Sequence, residues 1–358
     1  LPGDTRRLCL ASHKHKEGTL MLIRVPRGWE IPERLATPED VYLNRRKFLK
    51  AVGVIGLGGL GGIGGIEMIG GLAGCNHQGE SQATTTTPAA IPGLPQPSAT
   101  VNLYPAKRDE RFTLDRPLTD EIVAARYNNF YEFSPQKERV ARLVTRFQTR
   151  PWQVEVTGMV NKPQTFDIDD LVRRMPLQER LYRLRCVEAW SMAVPWTGFP
   201  IKAFIDLVQP LSSAKYMSMF TFNNPEQAME MNDDSYPWPY FEGLTLAEAS
   251  NELALFVTGI YGHELTKQHG APIRLMVPWK YGYKSIKSIV RVEFTDKRPS
   301  TFWSTLVPQE YNFQANVNPA VPHPRWSQAS ERIIGTNERR PTLPYNGYEE
   351  FVAGLYKT

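Results

Sequence analysis

The chain has 358 residues, 41% of them hydrophobic, and its 8 Trp, 15 Tyr and 16 Phe are ample for a globular core. A net charge of +5 is modest for that length, and basic residues alternate with acidic ones, which argues against nucleic acid as a partner. Only three cysteines occur, Cys9, Cys75 and Cys186.

The first informative stretch is Asn44-Arg45-Arg46-Lys47-Phe48-Leu49-Lys50, which precedes a glycine-rich apolar run. That order reads as a twin-arginine export signal. Eleven glycines from Gly53 to Gly74 make the run a poor helix core, since each costs about 1 kcal/mol against Ala. The chain begins at Leu1, and Met21 lies 24 residues before Arg45. Translation is therefore expected to start at Met21, with residues 1–20 an upstream gene-model extension and residues 21–75 the n-region and signal. The apolar run at 51–66 is short for a membrane span and is followed by Glu67. Leu72-Ala73-Gly74-Cys75 also fits a lipobox. Retention, lipidation at Cys75 and cleavage with release all stay open, with release favoured. Residues 76–100 are Gly, Ser, Thr, Gln, Ala and Pro in the main and predict a disordered linker. The folded domain is then 101–358.

Within that domain, Ser134-Pro135 followed by Val140, Leu143, Val144 and Phe147 predicts a helix from its capping residue onward. Trp152, Val154 and Val156 alternate as a strand does, and a short helix is expected from 168 to 174. Residues 180–187 read as a strand, with Tyr182, Leu184 and Cys186 on one face and Arg183 and Arg185 on the other. Pro200 opens an amphipathic helix carrying Ile201, Phe204, Ile205 and Val208. Further strands are expected at 216–222, 253–258, 273–277 and 289–294, with Thr245 and Glu248 forming a capping box between them. Short strands mixed with short helices, and 29 prolines, predict an α+β domain with long irregular loops. No glycine-rich phosphate loop follows a strand, which disfavours a Rossmann domain.

Cys186 stands alone in the domain, in Arg183-Leu184-Arg185-Cys186-Val187-Glu188-Ala189-Trp190-Ser191-Met192. A lone cysteine is ordinarily a small buried hydrophobe. In an oxidising compartment, though, a free thiol is a liability unless coordinated or shielded, and neighbouring Arg185 is expected to favour the thiolate. His263, His269 and His323 lie in no motif that nominates a base for a cysteine protease. His263-Glu264 followed by His269 does not have metalloprotease spacing. Arg274, Lys280, Lys284 and Lys287 are either a solvated loop face or an anion cradle for a phosphate. One soft thiolate and a distant phosphate cradle are what a pterin-bound molybdenum needs.

Six segments carry a family resemblance: Tyr127-Asn128-Asn129-Phe130-Tyr131-Glu132-Phe133, Arg185 to Met192, Val194-Pro195-Trp196-Thr197-Gly198-Phe199-Pro200, Gly270-Ala271-Pro272-Ile273-Arg274, Val277-Pro278-Trp279-Lys280-Tyr281-Gly282 and His323-Pro324-Arg325-Trp326-Ser327-Gln328-Ala329. Together they resemble the periplasmic protein-methionine-sulfoxide reductase catalytic subunits of the sulfite oxidase superfamily. The resemblance implies a single sulfite-oxidase-like molybdopterin-binding domain; no second, immunoglobulin-like dimerisation domain fits after residue 330, so a monomer is expected. The resemblance also implies a molybdenum–molybdopterin (Mo-MPT) cofactor with Cys186 as protein ligand to the metal. Pterin and phosphate contacts are implied at Asn128, Tyr131, Glu132, Thr221, Arg274, Ser285, Ile286 and Lys287. His269 stands where the family has Asn, and its imidazole can still donate a hydrogen bond.

Sulfite oxidases carry an Asn-Arg pair shortly after their cysteine; here Val187-Glu188-Ala189-Trp190 follows, which disfavours sulfite. The activity implied is oxygen-atom transfer that reduces methionine sulfoxide in exported proteins. The implied partners are a haem-containing membrane electron donor subunit, oxidised exported proteins and the twin-arginine translocase, in the periplasm. Two other readings stay open: a small-molecule S- or N-oxide reductase or sulfite dehydrogenase on the same scaffold, and a non-catalytic exported binding domain.

Overall fold

The computed structural model describes residues 90–357, which belong to one unit. The expected gene-model extension, the twin-arginine signal with Cys75, and most of the expected linker lie outside the described residues. Residues 92–100, assigned to the linker by composition, are instead held to the domain. The Ser98 amide and hydroxyl donate to the Glu264 carboxylate at 3.1 and 2.5 Å, and the Lys267 amide donates to the Gly93 carbonyl at 2.8 Å.

In chain order the elements are α1 (Glu121–Ala125), α2 (Val140–Leu143), β1 (Gln153–Gly158), β2 (Gln164–Asp167), α3 (Ile168–Arg174), β3 (Gln178–Arg185), β4 (Trp190–Pro200) and α4 (Ile201–Val208). There follow β5 (Tyr216–Thr221), β6 (Phe241–Thr245), α5 (Leu246–Ala249), β7 (Leu255–Ile260), β8 (His263–Glu264), β9 (Arg274–Met276), β10 (Ile289–Thr295), α6 (Phe302–Leu306), β11 (Ser330–Ile333), β12 (Arg339–Pro341) and α7 (Glu349–Val352). The domain is α+β, with two mixed sheets. One runs β2-β1-β10-β5-β6; the other runs β12-β11-β4-β7-β8, with β3 also on β4 and β9 also on β7.

Local chemistry sets several boundaries. The Asp167 carboxylate accepts from the amides of Asp169 and Asp170 and starts α3, and Thr245 and Glu248 close a reciprocal capping box on α5. The helix expected from Ser134 begins later, at Val140. Ser134 instead takes the Gln136 amide at 3.0 Å and donates its own to Phe130 at 3.1 Å, so its capping capacity is spent on a turn.

The main departure is β4, which the sequence conceals. Proline and glycine argue against a central strand, yet β4 holds Pro195 and Gly198 and is buried from Trp190 to Phe199. The register slips between Thr197 and Gly198. A Cβ on Gly198 would sit 2.1 Å from the Phe256 carbonyl, so only glycine allows β7 so close. Both faces of β3 are buried from Tyr182 to Arg185. The face carrying Arg183 and Arg185 is thus sealed and not solvated, and both side chains find carboxylates, Asp115 at 3.1 Å and Glu331 at 3.1 Å.

Candidate active site

Cys186 occupies the four-residue turn that joins β3 to β4. Its amide donates to the Trp190 carbonyl at 2.9 Å, the Ala189 amide donates back to the Cys186 carbonyl at 3.1 Å, and Ala189 adopts φ 61°. The turn is clamped from the C-terminal segment. Val187 O accepts from Trp326 Nε1 and Gln328 Nε2, each at 2.7 Å, and Ala189 O accepts from the Arg332 amide at 2.9 Å. The Arg185 guanidinium donates to the Cys186 carbonyl and pairs with Glu331.

The thiol faces a cleft with about 800 Å³ of empty space. Asn129 Nδ2 lies 3.3 Å from Sγ and the Glu188 amide 3.4 Å, both as donors, while Glu188 Oε2 stands 3.6 Å away. Burial, with the Glu188 carboxylate beside it, pushes the thiol up to about 12. The expectation that Arg185 favours the thiolate is therefore corrected: the guanidinium is committed to Glu331 and to backbone, and burial wins. A soft cation would displace this proton. Burial also raises Glu188, but the Lys137 ammonium at 2.8 Å, with N–H groups of Trp190 and Asn129, brings its carboxyl below the usual range.

Two cations line the same cleft. The Arg274 guanidinium donates to the backbone carbonyls of Leu275, His269 and Ser285 at 3.2, 2.9 and 3.2 Å, which leaves two of its five N–H groups free. Lys287 Nζ donates to the carbonyls of Asn129 and Gln268. Neither has a carboxylate partner among the described residues. Burial lowers Arg274 to about 9 and takes Lys287 well below its ordinary range, with Arg274 adding to the effect. Gly270, at φ 98°, lets the chain pass against Lys287, whose Cβ would lie 2.6 Å from any added Cβ. A buried Arg274 and a half-buried Lys287 left without an anion are costly by themselves and fit a phosphate-bearing ligand.

The structure thus gathers Cys186, Asn128, Tyr131, Glu132, Arg274, Ser285, Ile286 and Lys287 around one cleft. Two of the implied contacts are not on its wall. Thr221 Oγ1 donates to the Ser288 carbonyl at 3.1 Å, and His269 reaches the site through its carbonyl on Arg274 while its Nδ1 meets Thr266 Oγ1 at 2.6 Å. Burial raises Glu132 to about 7. Residues not singled out beforehand include Asn129, Lys137, Trp303 and Tyr311; Asn129 sat inside a quoted segment, and the others carried no sequence signal. No cluster of three or more His, Cys, Asp or Glu side chains with metal-binding geometry exists among the described residues. One thiolate alone is too poor a donor set for a metal, so a metal here must bring its other ligands with it. A dithiolene-bearing, phosphorylated cofactor fits the thiol, the cleft and the two cations.

The family model "Oxidoreductase molybdopterin binding domain" matches residues 141–303. The chain is 42% identical over 334 residues to the protein-methionine-sulfoxide reductase catalytic subunit MsrP of Burkholderia mallei, covering 92% of this chain and 94% of that one. Among solved structures, the sulfane dehydrogenase SoxCD of Paracoccus pantotrophus aligns at TM-score 0.36 and 17% identity, over 43% of this chain and 40% of that one, a likeness too slight to build on. By its identity over nearly the full length of both chains, this protein belongs to the family of protein-methionine-sulfoxide reductase catalytic subunits.

Proposed function

We propose that the chain is a molybdenum-dependent reductase that converts methionine sulfoxide in proteins to methionine. The observation that carries this reading is a buried thiol that shares one cleft with two cations without carboxylate partners among the described residues, in a chain of this family. Each turnover takes one sulfoxide, two electrons and two protons to one thioether and one water. When bound, the molybdenum–molybdopterin cofactor supplies the two-electron oxygen-removing chemistry. Cys186, as the thiolate, would hold the metal through Sγ. Asn129 Nδ2 and the Glu188 amide aim their N–H groups at that sulfur and orient it. Arg274 and Lys287 hold the phosphate end. Trp190, Trp303, Tyr131 and Tyr311 supply aromatic walls suited to a thioether side chain.

The proposal extends to place and partners. Arg45-Arg46 and the apolar run after them support export through the twin-arginine translocase to the periplasm, with Cys75 a possible lipid anchor. No helix among the described residues is long and apolar enough to cross a membrane. Each reduction consumes two electrons, and a haem-containing membrane subunit is the donor in this proposal. The test is turnover by molybdenum-loaded enzyme of protein-bound methionine sulfoxide, free methionine sulfoxide, trimethylamine N-oxide and sulfite. Reduction of the sulfoxides with near-stoichiometric molybdenum is expected; sulfite oxidation without sulfoxide reduction would overturn the assignment.

A further inference from the structure

A second groove adjoins the catalytic cleft, and nothing in the proposed chemistry uses it. Val187 and Tyr283 wall both spaces. The groove has about 1050 Å³ of empty space. One side is the segment Asn312-Phe313-Gln314-Ala315-Asn316-Val317-Asn318, in which amide side chains alternate with apolar ones. All four amides line the groove, while Ala315 and Val317 are buried. Aromatic rings of Tyr281, Tyr283, Tyr345 and Tyr356 form much of the rest.

The segment is held rigidly by its backbone. The Tyr281 amide donates to Ala315 O at 2.8 Å, the Val317 amide donates to Trp279 O at 3.0 Å, and the Tyr345 amide donates to Val317 O at 2.7 Å. Asn312 Oδ1 accepts from the Ala315 amide at 2.8 Å and Asn318 Oδ1 from the Ala320 amide at 2.9 Å. With the oxygens fixed, both NH₂ groups are aimed outward with no protein partner among the described residues. The Gln314 side chain has no partner there at either end. The acidic and basic side chains on the lining are Glu310 and His323, which face each other at 3.2 Å.

The NH₂ groups of Asn312 and Asn318 can donate to main-chain carbonyls, and the Gln314 amide can both donate and accept, which matches a polypeptide that presents the same two groups at every residue. Tyrosines beside asparagines give adaptable contact with little side-chain entropy lost. A wall with no unpaired charge reads backbone and leaves side-chain identity unread, as suits an enzyme acting on many proteins. Building on the proposed function, we infer that this groove binds the extended main chain flanking the methionine sulfoxide, whose side chain then enters the cleft toward Cys186.

The test uses the molybdenum-loaded enzyme and a fluorescein-labelled unstructured peptide with one central methionine sulfoxide. Gln314→Ala removes an amide with no internal partner. The pair Asn312→Asp with Asn318→Asp keeps the oxygens that cap the turns and removes the NH₂ donors. Each variant is expected to raise the peptide's Kd by anisotropy, and its KM, about 5-fold, with kcat unchanged and KM for free methionine sulfoxide within about 2-fold. A peptide N-methylated on both flanks loses its N–H groups and keeps its carbonyls, so it is expected to bind wild type more weakly than its parent and to lose affinity again in the Asn312→Asp, Asn318→Asp pair. Equal losses on peptide and free amino acid, or no change on the peptide, would overturn the inference. So would unchanged peptide binding with slowed reduction by the electron donor, which would make this a donor-docking face. If wild type reduces no sulfoxide, the functional reading fails separately, and peptide anisotropy, which needs no turnover, still decides the groove.

Discussion

The indole N–H of Trp326 donates to the Val187 carbonyl at 2.7 Å, so a side chain 139 residues downstream fixes the turn that carries Cys186. Gln328 Nε2 donates to the same oxygen at 2.7 Å, and the Trp326 ring stacks on His323 with centroids 3.8 Å apart. Trp326→Phe keeps the stack and deletes one donor. The expected cost is about 1 kcal/mol, seen as a fall in Tm of about 2–4 °C. Combining it with Gln328→Leu leaves a buried carbonyl unsatisfied, and molybdenum retention on dialysis is expected to fall about 10-fold. Unchanged retention in the double variant would show that the turn needs no clamp.

Cys186→Ser is expected to remove the only protein sulfur from the metal and to lower turnover at least ~100-fold, about 2.7 kcal/mol of transition-state stabilisation. The domain should remain folded, because Ser is close in volume. X-ray absorption at the molybdenum edge would count one sulfur fewer; an identical spectrum in the variant would exclude Cys186 as ligand.

Burial raises the Glu132 carboxyl from its ordinary 4.5 to about 7 in the cofactor-free protein. Between those values the folded state holds a proton that the unfolded state lacks. Its contribution is complete below about pH 4.5 and is lost as pH climbs through 7. Glu242 follows the same sign, raised to about 7 by burial despite Lys284 at 2.9 Å. Glu132→Gln should therefore flatten the fall in Tm of cofactor-free protein from pH 5 to 8. An unaltered slope would assign the whole effect to other groups.

Lys280 is buried, with Nζ 2.6 Å from Glu248 Oε1, 2.8 Å from Asn316 Oδ1 and 3.0 Å from the Tyr356 hydroxyl. Lys280→Met strands the Glu248 carboxylate. A loss of about 3–5 kcal/mol is expected, or a Tm lower by roughly 10 °C. Adding Glu248→Gln should restore part of it. Thermal unfolding of the single and double variants measures the coupling.

Arg45→Lys with Arg46→Lys should leave the precursor in the cytoplasm with its leader attached. Fractionation of the native host reads this directly, and normal export would overturn the twin-arginine reading.

Local signals proved legible where the deciding chemistry was local. The capping box of Thr245 and Glu248 and the apolar spacing of Ile201, Phe204 and Val208 each set a boundary from within a few residues. What stayed hidden depends on distant partners. Pro195 and Gly198 disguise β4 because tolerance for them comes from β3 and β7. Ser134-Pro135 has the composition of a helix start, but Phe130 and Gln136 take its hydrogen bonds. Family motifs indicated most of the cleft, yet Lys137 on Glu188 and the Asn129 amide beside the thiol emerge only when three separate segments meet.

The clamp on the turn sets a schedule for assembly. A nascent polypeptide that has just cleared the ribosome at Trp190 has its sulfur, but Trp326, Gln328, Glu331 and Arg332 are still untranslated. Cofactor insertion is therefore expected to follow synthesis of residues 326–332, which hold the turn in place.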